Sequence, residues 1–152
     1  VMGTALVSGS NRAHDDLSRH LGKVAADKAY AQAGIGPQDI GIAEVHDASA
    51  YAEILQTENL GLCAPGEGGP MAERGDTRLG GRIPVNTSGG LLSKGHPIGA
   101  TGAIQVHELV MQLRGEAGAR QVAGARFAAA ENGGGFLGFE EAATVVTILG
   151  RA

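Results

Sequence analysis

Aromatic side chains are scarce in this sequence. They make up 3% of the 152 residues, and tryptophan is absent. A core must therefore be built from alanine, valine, isoleucine and leucine, and the 43% hydrophobic content is sufficient for one domain. Cysteine occurs once, at Cys63, which excludes an intramolecular disulfide and fits a reducing compartment.

Positive charge is also in short supply. Lysine and arginine together number 12 against 16 aspartates and glutamates, which gives a formal net charge of −4. Proteins that bind nucleic acid carry a basic patch, so nucleic acid is not an expected partner. No apolar stretch is long enough to span a bilayer, and no segment resembles a signal peptide. We therefore expect a cytoplasmic protein without a membrane span, and we expect no metal site.

Segments typical of strands and helices alternate along the chain. Apolar, partly β-branched segments predict strands, and apolar residues at helical spacing predict helices. The predicted strands are 1–8, 40–46, 83–87, 122–130 and 143–149, and the predicted helices are 15–33, 50–60 and the segment after the glycine-rich stretch 94–102. The alternation predicts an α/β fold with a mostly parallel, five-stranded sheet and helices on its faces. The last two strands have no helix between them and could pair antiparallel.

The sequence KGHPIGATG, at 94–102, constrains a histidine in a turn. His96 stands between Gly95 and Pro97, and a proline pushes the residue before it into extended geometry. The predicted helix beginning near Gly99 offers free N–H groups to a thioester oxygen or a phosphate. A turn histidine bonded to backbone is the alternative interpretation.

A second histidine, His46, ends a predicted strand. Carboxyl ends of parallel strands lie at one edge of a sheet, where open α/β sheets bind ligands. His46 and His96 are therefore predicted to converge on one site. Asp47 is the expected cap of the following helix. Three other histidines are predicted to be surface or helix residues, namely His14, His20 and His107.

Glu131 and Asn132 are predicted to open a glycine-rich loop. Gly133, Gly134 and Gly135 would let a substrate lie against bare backbone, whose N–H groups can stabilise an oxyanion. The alternative is an outward hairpin with solvated acids. Cys63 lies in the loop 61–84 with no base beside it in sequence, and nothing indicates that its thiol is activated.

Several of these motifs together resemble one family. KGHPIGATG after VNTSGG is similar to the histidine loop of the thiolase superfamily, where a Gly-His-Pro turn follows an Asn/Gly-rich strand. HDASAYAEIL resembles that family's second loop, and LGLC and GEGGP favour its sterol-carrier type. The similarity runs from about Val1 to Leu149. The chain, as one domain over 1–152, thus resembles the C-terminal half of a thiolase, whose N-terminal half it does not contain.

The resemblance implies a role for each motif. In the family, the Gly-His-Pro histidine activates a nucleophilic cysteine that takes the acyl group from a thioester, and this role falls to His96. The second-loop residue helps form an oxyanion hole, and this role falls to His46. Glu131 stands where many thiolases keep an acid–base cysteine, so a proton-transfer role is expected for it if an apolar site, with Phe136 beside it, raises its pKa. The residues expected to contact substrate are Ala48, Gly99, Gly133 and Gly134.

Missing cysteines limit the resemblance. The family's nucleophilic cysteine lies in the N-terminal half, and Cys63 does not match its position. The sterol-carrier type has a second cysteine where this chain has Ala48, and other thiolases have one near Glu131.

Three functions follow from the resemblance. The first is a thiolase-type acyltransferase half that cleaves or forms a 3-oxoacyl-CoA, with a role in fatty-acid and lipid metabolism. The second is a thiolase-fold aldolase that acts on a CoA thioester, and the third is a non-catalytic acyl-CoA-binding scaffold. The implied partners are an acyl-CoA substrate, an N-terminal thiolase half or subunit, and further copies in a homo-oligomer. Coenzyme A is implied as substrate or product, and no covalently bound cofactor is expected.

Overall fold

A computed structural model of the protein describes residues 1–9 and 11–151. The strands in this part of the chain are β1 (Gly3–Ser8), β2 (Ile42–Glu44), β3 (Phe127–Gly134) and β4 (Ala143–Gly150). The α-helices are α1 (Leu21–Ala33), α2 (Ala50–Asn59), α3 (Gly68–Glu73), α4 (Gly90–Lys94) and α5 (Thr101–Arg114). Short 3-10 turns occupy Leu17–Arg19, Pro37–Asp39 and Gly118–Arg120.

Within the described residues, the sheet has four strands in the order β1-β4-β3-β2. Only β2 and β3 are parallel, while β4 pairs antiparallel with both β1 and β3. The predicted five-stranded, mostly parallel sheet is therefore wrong, although the antiparallel pairing of the last two strands is confirmed. The predicted strand 83–87 is reduced to one parallel bridge between Ala43 and Val85. Pro84 has no N–H to donate, and Asn86 turns the chain away with a φ of 55°.

The boundaries of β3 and α1 also differ from the prediction. β3 begins later than expected, after a turn at Gly124, whose φ is 76°, and it runs on to Gly134. Glu131 and Asn132 therefore pair with β4 inside the strand and do not open a loop. α1 begins after His20, whose side chain accepts a hydrogen bond from the Gly22 N–H, so the helix does not begin at the aspartates at 15 and 16. The predicted loop 61–84 contains α3.

Helices cover the two faces of the sheet unequally. α1 lies against β1 and β4 on one face, and α5 lies against β2 and β3 on the other. The alanines at 128, 129 and 130 are buried in the sheet. Their small side chains let the helices lie close to it, so the core is filled without large aromatic residues. The side chain of Leu6, on β1, is 68% exposed because α5 does not reach it. No helix in the described part of the chain is both long and apolar enough to cross a bilayer.

Asp47 ties the short helix α4 to the end of β2. Its carboxylate accepts hydrogen bonds from the backbone N–H groups of Leu91, at 2.6 Å, and Leu92, at 3.4 Å. The expectation that Asp47 caps the following helix is therefore wrong. Ser49 caps α2 by accepting from the Ala52 N–H at 3.1 Å. The chain uses Asp47 to join two loops that are distant in sequence.

Gly90 is the residue that lets Asp47 reach α4. Its φ is 61°, and a Cβ at this position would collide with the Asp47 carboxylate. We expect Gly90→Ala to lower the free energy of unfolding by about 2 kcal/mol, because it adds backbone strain and disrupts the cap. Denaturant unfolding of the purified protein measures this. Gly69→Ala is the matched control, since no described residue beyond its own helix comes within 4 Å of a Cβ there. Equal losses in the two variants would contradict the assignment.

Candidate active site

His96 is held by its own turn. α4 ends at Lys94 and is followed by Gly95, whose φ is 87°. The carbonyl of Pro97 accepts hydrogen bonds from the N–H groups of Ala100 and Thr101. The Thr101 hydroxyl donates to the same carbonyl at 3.2 Å, and its oxygen lies 2.7 Å from Nδ1 of His96. We assign the hydroxyl proton to the Pro97 carbonyl, so that Nδ1 of His96 donates to the Thr101 oxygen. The neutral ring therefore presents an unprotonated Nε2.

His46 is held from the strand beside it. Its Nδ1 lies 3.0 Å from the Asn132 side-chain oxygen, which can only accept, so His46 donates from Nδ1. Its backbone N–H donates to Oε2 of Glu131 at 3.0 Å. Two residues of β3 therefore fix the ring and the backbone of His46. The neutral His46 ring, like that of His96, carries its available lone pair on Nε2.

The two histidines lie in contact. Their ring centroids are 4.9 Å apart, with the ring planes at 89° to each other. The prediction that they converge on one site is confirmed. Two imidazoles at this distance can serve one small reacting group.

Glu131 lies behind His46 and is completely buried. Burial raises its pKa from the ordinary value of 4.5 to about 8, the negative charge of Glu141 adds to the rise, and the hydrogen bond from the His46 N–H opposes it. Its Oε1 has no hydrogen-bond partner among the described residues. Phe136 does not supply this apolar environment, because its side chain is 92% exposed. Glu131 is buried because it lies on β3, a central strand with β2 on one side and β4 on the other.

A cavity of about 570 Å³ opens in front of the two histidines. Of the residues expected at the site, His46, His96, Ala48, Gly133 and Gly134 line it. Gly99 and Glu131 are not among its lining residues. Side chains of α2 and of the segment between β3 and β4 complete the wall, among them Tyr51, Leu55, Gln56, Phe136, Phe139 and Glu141.

Cys63 lies outside this cavity. It is half-buried and packs against the core on the α1 face of the sheet. Burial raises the pKa of its thiol, and the negative charge of Glu58 acts in the same direction. A thiol in this environment is a weak nucleophile. No group of His, Cys, Asp and Glu side chains in residues 1–9 and 11–151 is arranged to hold a metal ion.

A buried acid joins the turn of His96 to β2. Glu44 is fully buried and accepts hydrogen bonds from the backbone and hydroxyl of Ser88, at 3.0 and 2.5 Å. Lys94, two residues before His96, also contacts the Ser88 hydroxyl and lies 3.6 Å from Glu44. Burial raises the pKa of Glu44, and its hydrogen bonds to Ser88 and the charge of Lys94 oppose the rise. This contact fixes the start of the histidine turn against the sheet.

Three residues at the site were missed by sequence reasoning. Thr101 and Asn132 lie inside the motifs that identified the site, but their roles depend on tertiary contacts. His20 was expected at the surface or within a helix, yet it is 4% exposed and lines the cavity. Histidine is an uncommon helix cap, so the sequence carried no signal for its position.

Comparisons with known proteins agree with this geometry. The family model described as Thiolase C-terminal domain-like matches residues 3–151. Sterol carrier protein 2 of Rattus norvegicus is 52% identical over 112 residues, which cover 74% of this chain and 20% of that protein. Acetyl-CoA acetyltransferase of Methanothermobacter thermautotrophicus is 49% identical over 138 residues, which cover 89% of this chain and 36% of that protein.

A subunit and a solved structure extend the comparison. Benzoylsuccinyl-CoA thiolase subunit BbsB of Thauera aromatica is 42% identical over 124 residues, which cover 80% of this chain and 32% of the subunit. The solved structure of the Ltp2-ChsH2(DUF35) aldolase superposes with a TM-score of 0.79 at 26% identity, over 98% of this chain and 38% of that one. The chain thus spans between 20% and 36% of the length of these curated relatives.

The burial of Glu131 predicts a pH dependence of stability. Between pH 4.5 and about 8 the folded protein keeps this carboxyl protonated, whereas the unfolded chain ionises it. The folded state therefore binds more protons than the unfolded one, and stability falls as the pH rises through this window. In the wild type this should lower the free energy of unfolding by a few kcal/mol between pH 4.5 and about 8. We expect this decrease to be absent in Glu131→Gln.

Denaturant unfolding at a series of pH values measures this effect. Glu116→Gln is the control, because Glu116 is exposed and should leave the slope unchanged. Parallel pH profiles for wild type and Glu131→Gln would show that the carboxyl is ionised in the folded protein.

Proposed function

This chain belongs to the thiolase C-terminal domain-like family, and from that premise we propose that residues 1–152 are the C-terminal catalytic half of a thiolase-type acyltransferase. The reaction would be the Claisen cleavage or formation of a 3-oxoacyl-CoA, with coenzyme A as a substrate or product. The observation that carries the proposal is the pair of imidazole rings that lie 4.9 Å apart and both line the cavity. Each ring presents Nε2 because a neighbouring oxygen accepts its Nδ1 proton.

His96 is the base in this proposal. Thr101 holds its tautomer, so Nε2 accepts a proton from the attacking thiol. The thiolate sulfur then bonds to the 3-oxo carbon of the substrate. The Cα–Cβ bond breaks, its electron pair passes into the enolate of the departing thioester, and a proton on Cα completes acetyl-CoA. Coenzyme A takes the acyl group from the sulfur in a second transfer.

His46 faces the thioester oxygen in the same proposal. Since Asn132 accepts the Nδ1 proton, His46 donates from Nε2 only when both of its nitrogens are protonated. As an imidazolium it would stabilise the enolate oxygen and deliver its own Nε2 proton to Cα. In the second transfer the neutral His46 takes the proton of the coenzyme A thiol, the coenzyme A sulfur bonds to the acyl carbon, and the departing cysteine sulfur takes back the proton held by His96. Gly133 and Gly134 bring bare backbone to the cavity wall, and Ala48 lines it beside them.

Glu131 is proposed to support His46 rather than to transfer a proton directly. It contacts the His46 backbone and does not line the cavity. With its pKa raised to about 8, it is neutral near pH 7 and places no counter-charge behind the imidazole. Proton transfer by Glu131 itself would require a movement that brings the carboxyl into the cavity.

The nucleophilic cysteine is proposed to come from an N-terminal half. The cavity-lining residues include no cysteine, and Cys63 packs in the core. A surface for such a half is available on the face of the sheet that α5 leaves open. There Leu6, 68% exposed, pairs with the half-buried Val145. Docking there and assembly into a homo-oligomer would both bury apolar surface.

A retro-aldol lyase acting on a CoA thioester is the second candidate. Ala48 occupies the position where a sterol-carrier-type thiolase would have a cysteine, and a solved neighbour at 26% identity is an aldolase. In this reaction an Nε2 would take the proton of a β-hydroxyl group. The Cα–Cβ bond would then break, giving a carbonyl compound and the enolate of the thioester, and return of the proton from the imidazole to Cα would complete the thioester product. No acyl-cysteine is needed.

The two candidates make different predictions for the isolated chain. We expect no thiolysis of acetoacetyl-CoA by this chain with free coenzyme A, because it lacks a matched nucleophile. Joining it to its N-terminal half should restore cleavage and leave an acyl group on a cysteine of that half, detectable by intact mass. Cleavage of a β-hydroxyacyl-CoA without acyl-enzyme would instead support the lyase. Thiolysis by the isolated chain that survives Cys63→Ala would contradict the proposal.

Thr101 provides a test of the His96 assignment. Thr101→Val keeps the shape but cannot accept the Nδ1 proton, so His96 loses its fixed tautomer. We expect kcat of the complete enzyme to fall by about tenfold or more, as for other residues that orient a functional imidazole. Thr101→Ser keeps the hydroxyl and should restore most of kcat. Equal losses in both variants, with lowered thermal stability, would indicate packing alone.

A further inference from the structure

A second polar cluster lines the cavity and has no role in the proposed reaction. His20 is 4% exposed and stands before α1. Its Nδ1 accepts hydrogen bonds from the Gly22 N–H at 3.2 Å and from the Asn59 side-chain nitrogen at 3.0 Å. A ring nitrogen that accepts two hydrogen bonds carries no proton, so the ring proton lies on Nε2. Among the described residues, none provides a hydrogen-bond partner for that N–H.

The neutral form of His20 is favoured by its surroundings. Burial lowers its pKa, and the positive charge of Arg12 acts in the same direction. The charges of Glu141 and Glu140 oppose this shift. His20 is thus held as a fixed single donor at the cavity wall.

Glu141 places an acceptor in the same wall. The Asn59 amide nitrogen, which donates to His20, also donates to the Gln56 side-chain oxygen at 2.9 Å. The Gln56 nitrogen then donates to Oε1 of Glu141 at 2.8 Å. Gln56 and Asn59 are themselves buried, so this chain of hydrogen bonds has little freedom. No residue in the described part of the chain is hydrogen-bonded to Oε2 of Glu141.

Gly133 lets Glu141 pack against the strand. A Cβ on Gly133 would lie 2.8 Å from Cγ of Glu141, closer than real contacts allow. The absence of a side chain at Gly133 therefore leaves room for Glu141, and it also lets a substrate approach the backbone. The cavity, at about 570 Å³, also has room for much more than a two-carbon acyl unit, since a water molecule in liquid takes up only about 30 Å³.

We propose that His20 and Glu141 form a specificity site for a hydroxyl group on the acyl substituent of the substrate. This rests on the proposed function, in which the cavity receives an acyl-CoA. His20 Nε2–H donates to the hydroxyl oxygen, and Oε2 of Glu141 accepts the hydroxyl proton. A ketone would leave the Glu141 acceptor unused, and a carboxylate would be repelled by its charge. A hydroxyl group, which both donates and accepts, satisfies the pair.

The experiment uses the complete protein, with its N-terminal half, and a series of 3-oxoacyl-CoA esters of increasing chain length. Each ester is compared with its counterpart bearing a terminal hydroxyl group. Both kcat/KM and the Kd from calorimetry are measured. At the best-fitting length we expect a preference of about tenfold for the hydroxylated ester, the size of one well-made hydrogen bond.

Two substitutions of His20 test whether this residue carries the preference. His20→Asn keeps an oxygen that can accept from the Gly22 N–H but removes the Nε2 donor, so the preference should disappear. His20→Gln extends an amide donor toward the position of Nε2 and should restore part of it. His107→Asn is the control, because His107 is exposed on α5 and should leave the preference unchanged.

The two readouts separate this inference from the proposed function. Turnover without any preference for a hydroxylated ester, at every length, would overturn the specificity site and leave the acyltransferase intact. A preference in Kd without turnover would support the site and overturn the proposed reaction. A preference that persists in His20→Asn would overturn the role of His20. If no ester binds, both proposals fail.

Discussion

The parallel pairing of β2 with β3 is the constraint on which the candidate site depends. Glu44 lies opposite Ala130 in that register, so His46 emerges level with Asn132, two residues farther along each strand. The Asn132 side chain then accepts a hydrogen bond from Nδ1 of His46, and the Glu131 carboxyl accepts one from the His46 backbone N–H. A shift of one residue would turn Asn132 to the opposite face and leave His46 without a fixed tautomer.

Local sequence patterns predicted the positions of the two histidines, but not the residues that form hydrogen bonds with them and with their loops. Gly-His-Pro before a helix and a histidine at a strand end are visible in the chain itself, and both histidines reached one site. Asp47 was expected to cap its own following helix, a local role, but it caps α4 more than 40 residues away. Long-range partners of this kind follow from tertiary packing, which propensity and spacing do not describe.

The errors in the sheet have a common cause. The apolar residues of 83–87 predicted a strand, but Pro84 and the positive φ of Asn86 interrupt it. Gly133 and Gly134 were predicted to lie in a loop, but they belong to β3. Glycine pairs readily when an adjacent strand supplies partners, although it is depleted from strands in general. β4 supplies those partners here. The burial of Glu131 followed from the same pairing and could not be read from its glycine-rich surroundings.

Adjacent residues of β3 serve separate parts of the cavity. Asn132 contacts His46, while Gly133 gives room to Glu141 on the opposite face of the same strand. Because strand residues alternate between faces, inserting or deleting one residue here would exchange these two positions. Among homologous chains, length variation should therefore be absent from this strand. It should concentrate instead near the exposed Leu137, in the connection from β3 to β4, because Leu137 does not line the cavity.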